Sequence, residues 1–307
     1  MRIAVVGAGA MGSIFGARLA GGGHDVVLID VVQSLVDKIN ESGVTVTRDD
    51  ESTTTRVPAT AEPSEVGPVD LVVFFVKCYH TEAAVDLARP LVGAETTVAS
   101  LQNGWGNGDV LAAAFPPRQV VVGVTYNSGL LVEPGVVVHP ADQPTFVGSF
   151  TDGDAERASR VAAALESGGL AATVASPVRP EIWKKLILNA ATLPTAALTG
   201  MNAGALVAHE QVRGLVVETA QEAVVVARAL GYDISAEERV DAILSLLERA
   251  GATRASMLQD FEAGRRTEID VINGAVVKAA AESGVPAPFN RAFVALVKGW
   301  ETMRGLA

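Results

Sequence analysis

The sequence predicts an α/β domain over residues 1–176 followed by an all-helical domain over residues 177–307. Three observations carry this. A glycine-punctuated strand, turn, helix and strand open the chain. Short β-branched runs then recur at intervals up to Ala175. After Ser176-Pro177-Val178-Arg179-Pro180 the strand signal stops, and only segments of helical period follow.

The opening stretch is MRIAVVGAGAMGSIFGARLAGGGHDVVLID. Ile3 to Val6 is a short buried-type strand. Gly7, Gly9 and Gly12 follow as G-x-G-x-x-G, with Ala8, Ala10 and Met11 between them. Gly7 allows the tight turn, Gly9 lets a pyrophosphate approach the backbone, and Gly12 lets helix and strand pack closely. The next helix presents unpaired N–H groups to the phosphates. A second strand, Val26 to Ile29, ends in Asp30, at the distance expected of the acid that binds an adenosine ribose. This context predicts a Rossmann-type dinucleotide-binding domain for NAD(P)H. A carboxylate at position 30 accepts hydrogen bonds from the ribose diol and repels a 2′-phosphate, so NADH is favoured over NADPH.

Thr45–Thr47 and Thr53–Val57 read as a surface hairpin around charged residues 48–51. Asp70–Lys77 reads as a buried parallel strand, with Lys77 at the ligand-binding edge of the sheet. Tyr79–Leu91 is a helix and Thr96–Leu101 a strand; Gln102-Asn103-Gly104 then falls at the same edge. Asn103 either caps a helix over Trp105–Phe115 or contacts the ligand. Val120–Gly123 continues the sheet, and the β-branched runs between Thr125 and Gly148 read as antiparallel strands extending it, with His139 a structural histidine. Asp154–Ser167 is a helix and Ala171–Ala175 the final strand.

In the second half, Glu181–Thr199 is the first helix, with a kink at Pro194. Gln211–Leu230 is a long helix ended by Gly231. Ser235 and Glu238 form a capping box for a helix reaching Arg249. Thr253–Gly264, Thr267–Ser283 and Asn290–Arg304 complete the set. Lys185 and Asn189 in the first of these helices are four apart, hence roughly 40° from each other around the axis. A lysine among Ile182, Trp183, Leu186 and Ile187 either reaches solvent or is a desolvated ammonium that gives up its proton easily. Read alone, the stretch favours Lys184 and Lys185 both reaching solvent.

Asp plus Glu number 35 against 24 Lys plus Arg, a formal charge of −11. That excess repels nucleic acid and anionic membranes, while a small anionic substrate remains compatible with a few local cations. Cys78 is the only cysteine, so no internal disulfide forms and a reducing, cytoplasmic setting is expected. No signal peptide, membrane span or metal-ligand cluster is apparent. A homodimer is compatible with the sequence.

Taken together, GAGAMG at 7–12, FVKCYHT at 75–81, QNG at 102–104, IWKKLILN at 182–189, PTAALTG at 194–200, SMLQD at 256–260 and RTEIDVING at 266–274 resemble the ketopantoate reductase (2-dehydropantoate 2-reductase) family over essentially the whole chain. The resemblance implies reduction of a 2-keto acid to a 2-hydroxy acid with NAD(P)H, within pantothenate biosynthesis. It makes Lys185 the general acid and Glu268 the second catalytic group. Asn189 and Ser256 become substrate-binding residues, Ser256 through the carboxylate. Asn103 and Lys77 line the cofactor and substrate site. Leu193 and Ala203 stand where the family often has asparagine, and Asp30 where its NADP-using members have arginine. The less polar substrate end admits an alternative, a D-2-hydroxyacid dehydrogenase of the same family acting on branched or aromatic 2-keto acids. A reductase of a hydroxyacyl thioester is weaker, for want of a basic patch. A non-catalytic dinucleotide sensor is the alternative of another class.

Overall fold

The computed structural model describes residues 1–151 and 155–306. By internal contacts it separates into two units. The first is Met1–Gln102 with Asn107–Glu181, and the second is Asn103–Gly106 with Ile182–Ala307.

In the first unit β1 (Arg2–Val6), α1 (Ala10–Gly21) and β2 (Asp25–Ile29) form the predicted strand–helix–strand, with β1 and β2 parallel. The remaining elements are α2 (Gln33–Ser42), β3 (Val44–Arg48), β4 (Glu51–Thr55), β5 (Ala59–Thr60), β6 (Leu71–Phe74), α3 (Thr81–Ala88), β7 (Thr97–Ser100), α4 (Asn107–Ala114), β8 (Val120–Thr125), β9 (Leu130–Glu133), β10 (Val136–Val138), β11 (Thr145–Ser149), α5 (Glu156–Ser167) and β12 (Ala172–Val174). The expected start of α5 at Asp154 lies outside the described residues.

The main sheet has eight strands in the order β12-β11-β8-β7-β6-β1-β2-β5. Its centre is parallel, and β11 runs antiparallel to β8. Strands β1, β6, β7 and β8 are buried almost throughout, as a sheet covered on both faces requires. The order reverses at β1, whose neighbours are β2 and β6. The glycine loop therefore leaves the sheet at a switch point, where ligands of doubly wound sheets bind.

Of the strands expected to extend this sheet between Thr125 and Gly148, only β11 does. Strands β9 and β10 join the β3–β4 hairpin in a second sheet, ordered β4-β3-β10-β9. Their burial explains the difference. In β10 only the central Val137 is buried, and β9 is exposed throughout. Such strands suit a sheet with one covered face. Helix α1 fills the space between, packing on β1 and β2 and also on β3, β4 and β10. Its close approach to β2 rests on Gly16, where a Cβ would stand 2.5 Å from a Leu28 methyl.

The second unit is helical: α6 (Arg179–Thr199), α7 (Ala203–Ala208), α8 (Glu210–Ala229), α9 (Ala236–Ala250), α10 (Ser256–Glu262), α11 (Asn273–Ser283) and α12 (Pro288–Met303). Ser235 caps α9 as expected, accepting from the Glu238 amide at 3.3 Å. The sequence reading missed α7, which Asn202 caps by accepting from the Ala205 amide at 2.9 Å.

Two expected helices are shorter than predicted. Helix α10 begins at Ser256 and α11 only at Asn273. Between them the Thr267 amide donates to the Glu301 carboxylate, and the Ile269 amide to the Thr267 hydroxyl. These bonds, with a 3-10 turn at Ile269–Val271, hold the segment ahead of α11 out of the α conformation. No helix among the described residues is long and apolar enough to cross a membrane.

Candidate active site

Helix α6 carries the polar side chains of greatest interest on an apolar body. Trp183, Leu186 and Ile187 are buried, and Trp183 lies against Trp105 and Tyr232 with ring centroids 5.6 Å and 5.9 Å away. Trp105 also donates its backbone N–H to the Val271 carbonyl at 2.9 Å. At Gly104, where φ is +85°, a Cβ would stand 2.6 Å from that same carbonyl oxygen. These contacts explain why Asn103–Gly106 group with the helical unit although their neighbours in sequence belong to the sheet. Asn103 does not cap the next helix, which begins only at Asn107.

Lys185 donates from Nζ to Asn103 Oδ1 at 2.9 Å, and Asn103 Nδ2 donates to Glu268 Oε2 at 3.4 Å. The amide orientation follows from charge. Its oxygen meets a cation that can only donate, and its nitrogen meets a carboxylate that can only accept. Lys185 keeps some exposed surface. Even so, the protein packed around the ammonium removes enough water to lower its pKa from 10.5 to about 8. The nearby Glu268 carboxylate opposes that shift by favouring the charged form. A lysine so tuned holds a proton at neutral pH and releases it readily.

Asn189 lies one turn along α6 and is 6% exposed. No hydrogen bond joins its amide to another described residue, although a buried amide normally has a partner. Ser256 is the first residue of α10 and half-buried, and no hydrogen bond ties it to Lys185, Asn103 or Glu268. The structure thus joins three of the predicted residues and leaves Asn189 and Ser256 unlinked to them by hydrogen bonds. Lys184, next to Lys185, projects roughly 100° away around the helix.

Pro194 lies inside α6 and cannot donate to the Ala190 carbonyl one turn before it. Asn273 supplies the missing donor, its Nδ2 meeting Ala190 O at 2.9 Å and Asn290 Oδ1 at 3.0 Å. Glu222 in turn accepts from the Phe289 and Asn290 amides and from Asn290 Nδ2. Sequence reasoning missed this role for Asn273, although a mid-helix proline announces an orphaned carbonyl four residues earlier.

The dinucleotide end lies in the first unit. At Gly7 φ is +97°, and a Cβ would sit 2.9 Å from the Val76 amide; at Gly12 it would sit 1.8 Å from the Gly7 carbonyl oxygen. At Gly9 a Cβ would meet nothing within 4 Å. No side chain caps the start of α1, and no acid stands in its first turn. An open approach to uncapped amides fits a phosphate-bearing ligand. Asp30 accepts from the Ala8 amide at 2.8 Å and the Val32 amide at 3.0 Å, which fixes its carboxylate beside the glycine loop. Exposed Val31 and Val32 follow it, with no cation.

Lys77 is not the end of a strand. Strand β6 stops at Phe74, and Lys77 precedes a short 3-10 turn, Cys78–His80. Gln102 holds this loop by donating to the Val76 carbonyl at 2.8 Å and the Thr81 hydroxyl at 2.9 Å. Fully buried His139 meets Asn127 Oδ1 at 2.9 Å, in keeping with a structural role. Among the described residues no group of three or more His, Cys, Asp or Glu is arranged to hold a metal.

Residues 3–152 match the family model described as "Ketopantoate reductase PanE/ApbA", and residues 177–301 the one described as "Ketopantoate reductase PanE/ApbA C terminal". The chain belongs to the ketopantoate reductase family. Among relatives of this family, a 2-dehydropantoate 2-reductase of Halobacterium salinarum is 35% identical over 97% of this chain and 98% of the relative. One from Pyrococcus horikoshii is 33% identical over 99% of each. Among solved structures, 2-dehydropantoate 2-reductase from Geobacter metallireducens superposes with a TM-score of 0.93 at 30% identity, covering 97% of this chain and 99% of that one. D-mandelate dehydrogenase, solved with NADH and anilino(oxo)acetate, superposes with a TM-score of 0.95 at 27% identity over 100% of both chains.

Proposed function

We propose that this chain reduces a 2-keto acid to the 2-hydroxy acid, with ketopantoate the leading substrate and Lys185 the proton donor. The observation that carries the reading is the Lys185–Asn103–Glu268 chain around an ammonium whose pKa is lowered to about 8. The full-length relatives named 2-dehydropantoate 2-reductase support the substrate.

Bound nicotinamide supplies a hydride to the C2 carbonyl of the substrate. Lys185 stabilises the oxygen as negative charge develops and delivers the proton that makes it a hydroxyl. Asn103 orients the ammonium through Oδ1, and Glu268 keeps it charged until transfer. The unpartnered amide of Asn189 and the hydroxyl of Ser256 are the groups to bind the substrate's polar atoms, Ser256 its carboxylate. Gly7, Ala8, Gly9, Ala10, Met11 and Gly12 hold the pyrophosphate, Asp30 the adenosine ribose, and Lys77 lines the cofactor site. NADH is the preferred reductant, because Asp30 repels a 2′-phosphate and no cation follows it. The single cysteine suits a cytoplasmic setting, and a homodimer is compatible with the reading.

A second reading is supported by Leu193, which is 9% exposed where the family often has asparagine, and by the likeness to D-mandelate dehydrogenase. It is a D-2-hydroxyacid dehydrogenase for branched or aromatic 2-keto acids. A steady-state matrix of NADH and NADPH against ketopantoate and several bulkier 2-keto acids tests both. Ketopantoate with NADH is expected to give the highest kcat/KM. A bulkier apolar acid in first place moves the assignment to the second reading. No oxidation of either cofactor with any acid overturns both.

A further inference from the structure

Glu301, in the last turns of α12, is a carboxylate with 0% exposure that the proposed chemistry does not use. Its Oε1 accepts from the Thr267 amide at 2.8 Å and from the Thr267 hydroxyl at 2.7 Å. Its Oε2 faces the Lys298 ammonium at 3.1 Å, and Lys298 also reaches Asp270 at 3.1 Å. The Thr267 hydroxyl has a second task, accepting from the Ile269 amide at 3.2 Å. The residue bracketed by these bonds is Glu268, which is 6% exposed and sits on irregular backbone between α10 and a 3-10 turn. Its carbonyl accepts from the Val271 amide of that turn at 3.2 Å, and no α-helix or strand ladder runs through it. On one side Thr267 is bonded directly to a buried carboxylate on α12, and on the other the Ile269 amide is bonded to the Thr267 hydroxyl that this carboxylate holds.

We propose that Glu301 is a positioning residue for Glu268: through Thr267 it sets the backbone on both sides of Glu268 and so holds that carboxylate against Asn103. The inference rests on the reading of Lys185 and Glu268 given above. A carboxylate suits the task better than an amide. One oxygen takes both Thr267 donors while the other retains the Lys298 ion pair, and a glutamine surrenders that charge. Misplacement of a catalytic group by about 1 Å costs up to about 100-fold in rate.

The test compares Glu301→Gln, Thr267→Val and Thr267→Ser with the parent, each checked for folding by circular dichroism and melting temperature. Glu301→Gln is expected to lower kcat roughly 10- to 100-fold with the KM for NADH unchanged. Thr267→Val should fall similarly, and Thr267→Ser, which keeps the hydroxyl, should recover most of the loss. In a Glu268→Gln background, Glu301→Gln should cost little more, because the group it positions is already gone. A folded Glu301→Gln with parental kcat overturns the proposal, as does an equal loss in both backgrounds, which marks a general structural role. Should Glu301→Gln fail to fold, the Thr267 pair decides alone: equal rates for Val and Ser overturn it. Full turnover in Lys185→Ala and Glu268→Gln defeats the site reading itself, and the inference with it. Impaired Lys185 and Glu268 variants beside an unaffected Glu301→Gln defeat only the inference.

Discussion

The glycine loop of the first unit and the Lys185 site of the second are built from opposite materials. The loop works by what is missing. Gly7 and Gly12 keep Cβ atoms out of contacts as close as 1.8 Å, and Gly9 leaves an approach open. The Lys185 site works by what is present: an ammonium, an amide and a carboxylate linked in a chain on an apolar helix face. On the proposed reading, one region is disabled by adding atoms and the other by removing them. The variants that test this contrast rank by expected effect.

Removing the ammonium is the largest change. Lys185→Ala should lower kcat by about 100-fold or more, the usual worth of a general acid, while dinucleotide affinity by fluorescence titration stays near parental. A loss of cofactor binding instead would blur the division between the two regions. Adding a methyl at the other end comes next and splits in two. Gly12→Ala cannot be accommodated beside the Gly7 carbonyl, so both melting temperature and NADH affinity should fall. Gly9→Ala meets no protein atom, so the melting temperature should hold while NADH affinity drops about tenfold or more. Parental NADH affinity in Gly9→Ala would show that the open space is not where the pyrophosphate lies.

The pH dependence sharpens the second half of the contrast. A lysine with a pKa of about 8 is mostly protonated at pH 7 and mostly neutral by pH 9. Reduction needs the proton, so kcat/KM for the keto acid, which reports the free enzyme, should be level well below pH 8 and fall above it. Oxidation of the hydroxy acid needs the neutral amine and should rise over the same range. A reduction rate that is flat to pH 10 removes Lys185 from the proton-transfer step. The smallest effect concerns the support of α6. Asn273→Ala leaves the buried Ala190 carbonyl without a donor and should cost about 1–3 kcal/mol in urea unfolding, with kcat less affected than in Lys185→Ala. Unchanged stability would mean that the helix satisfies that carbonyl by itself.

The two regions also differed in how far the sequence disclosed them. The loop is encoded locally: glycine spacing, a preceding strand, a following helix and an acid at the next strand end all fall within thirty residues. Every one of those elements forms where the pattern puts it. The second unit was legible as helices but not as a site. Lys185 alone looked like a solvent-reaching lysine, and only its resemblance to a family motif separated it from Lys184. Asn103 joins it from 82 residues away, drawn in by Gly104 and Trp105 against Val271, and no periodicity announces that association. The overlong helix over Thr267–Ser283 failed for a related reason. Thr267 is tied to Glu301, 34 residues downstream, and no local pattern announces that bond. The β-branched run at Val136–Val138 was recognised but assigned to the wrong sheet, since composition marks a strand and not the strands it pairs with.

Pro194 brings time into the picture. Its missing N–H leaves the Ala190 carbonyl dependent on Asn273, which lies 83 residues further along the chain. At roughly 5–20 residues per second of synthesis, that partner leaves the ribosome roughly 4 to 17 seconds after the carbonyl that needs it. For that interval the helix bearing Lys185 lacks the donor that meets its Ala190 carbonyl in the folded protein, and a nascent chain stopped short of Asn273 never gains it. The proline thus ties completion of the helix bearing Lys185 to synthesis through Asn273, so that a product truncated before it carries the lysine without the support that finishes its helix.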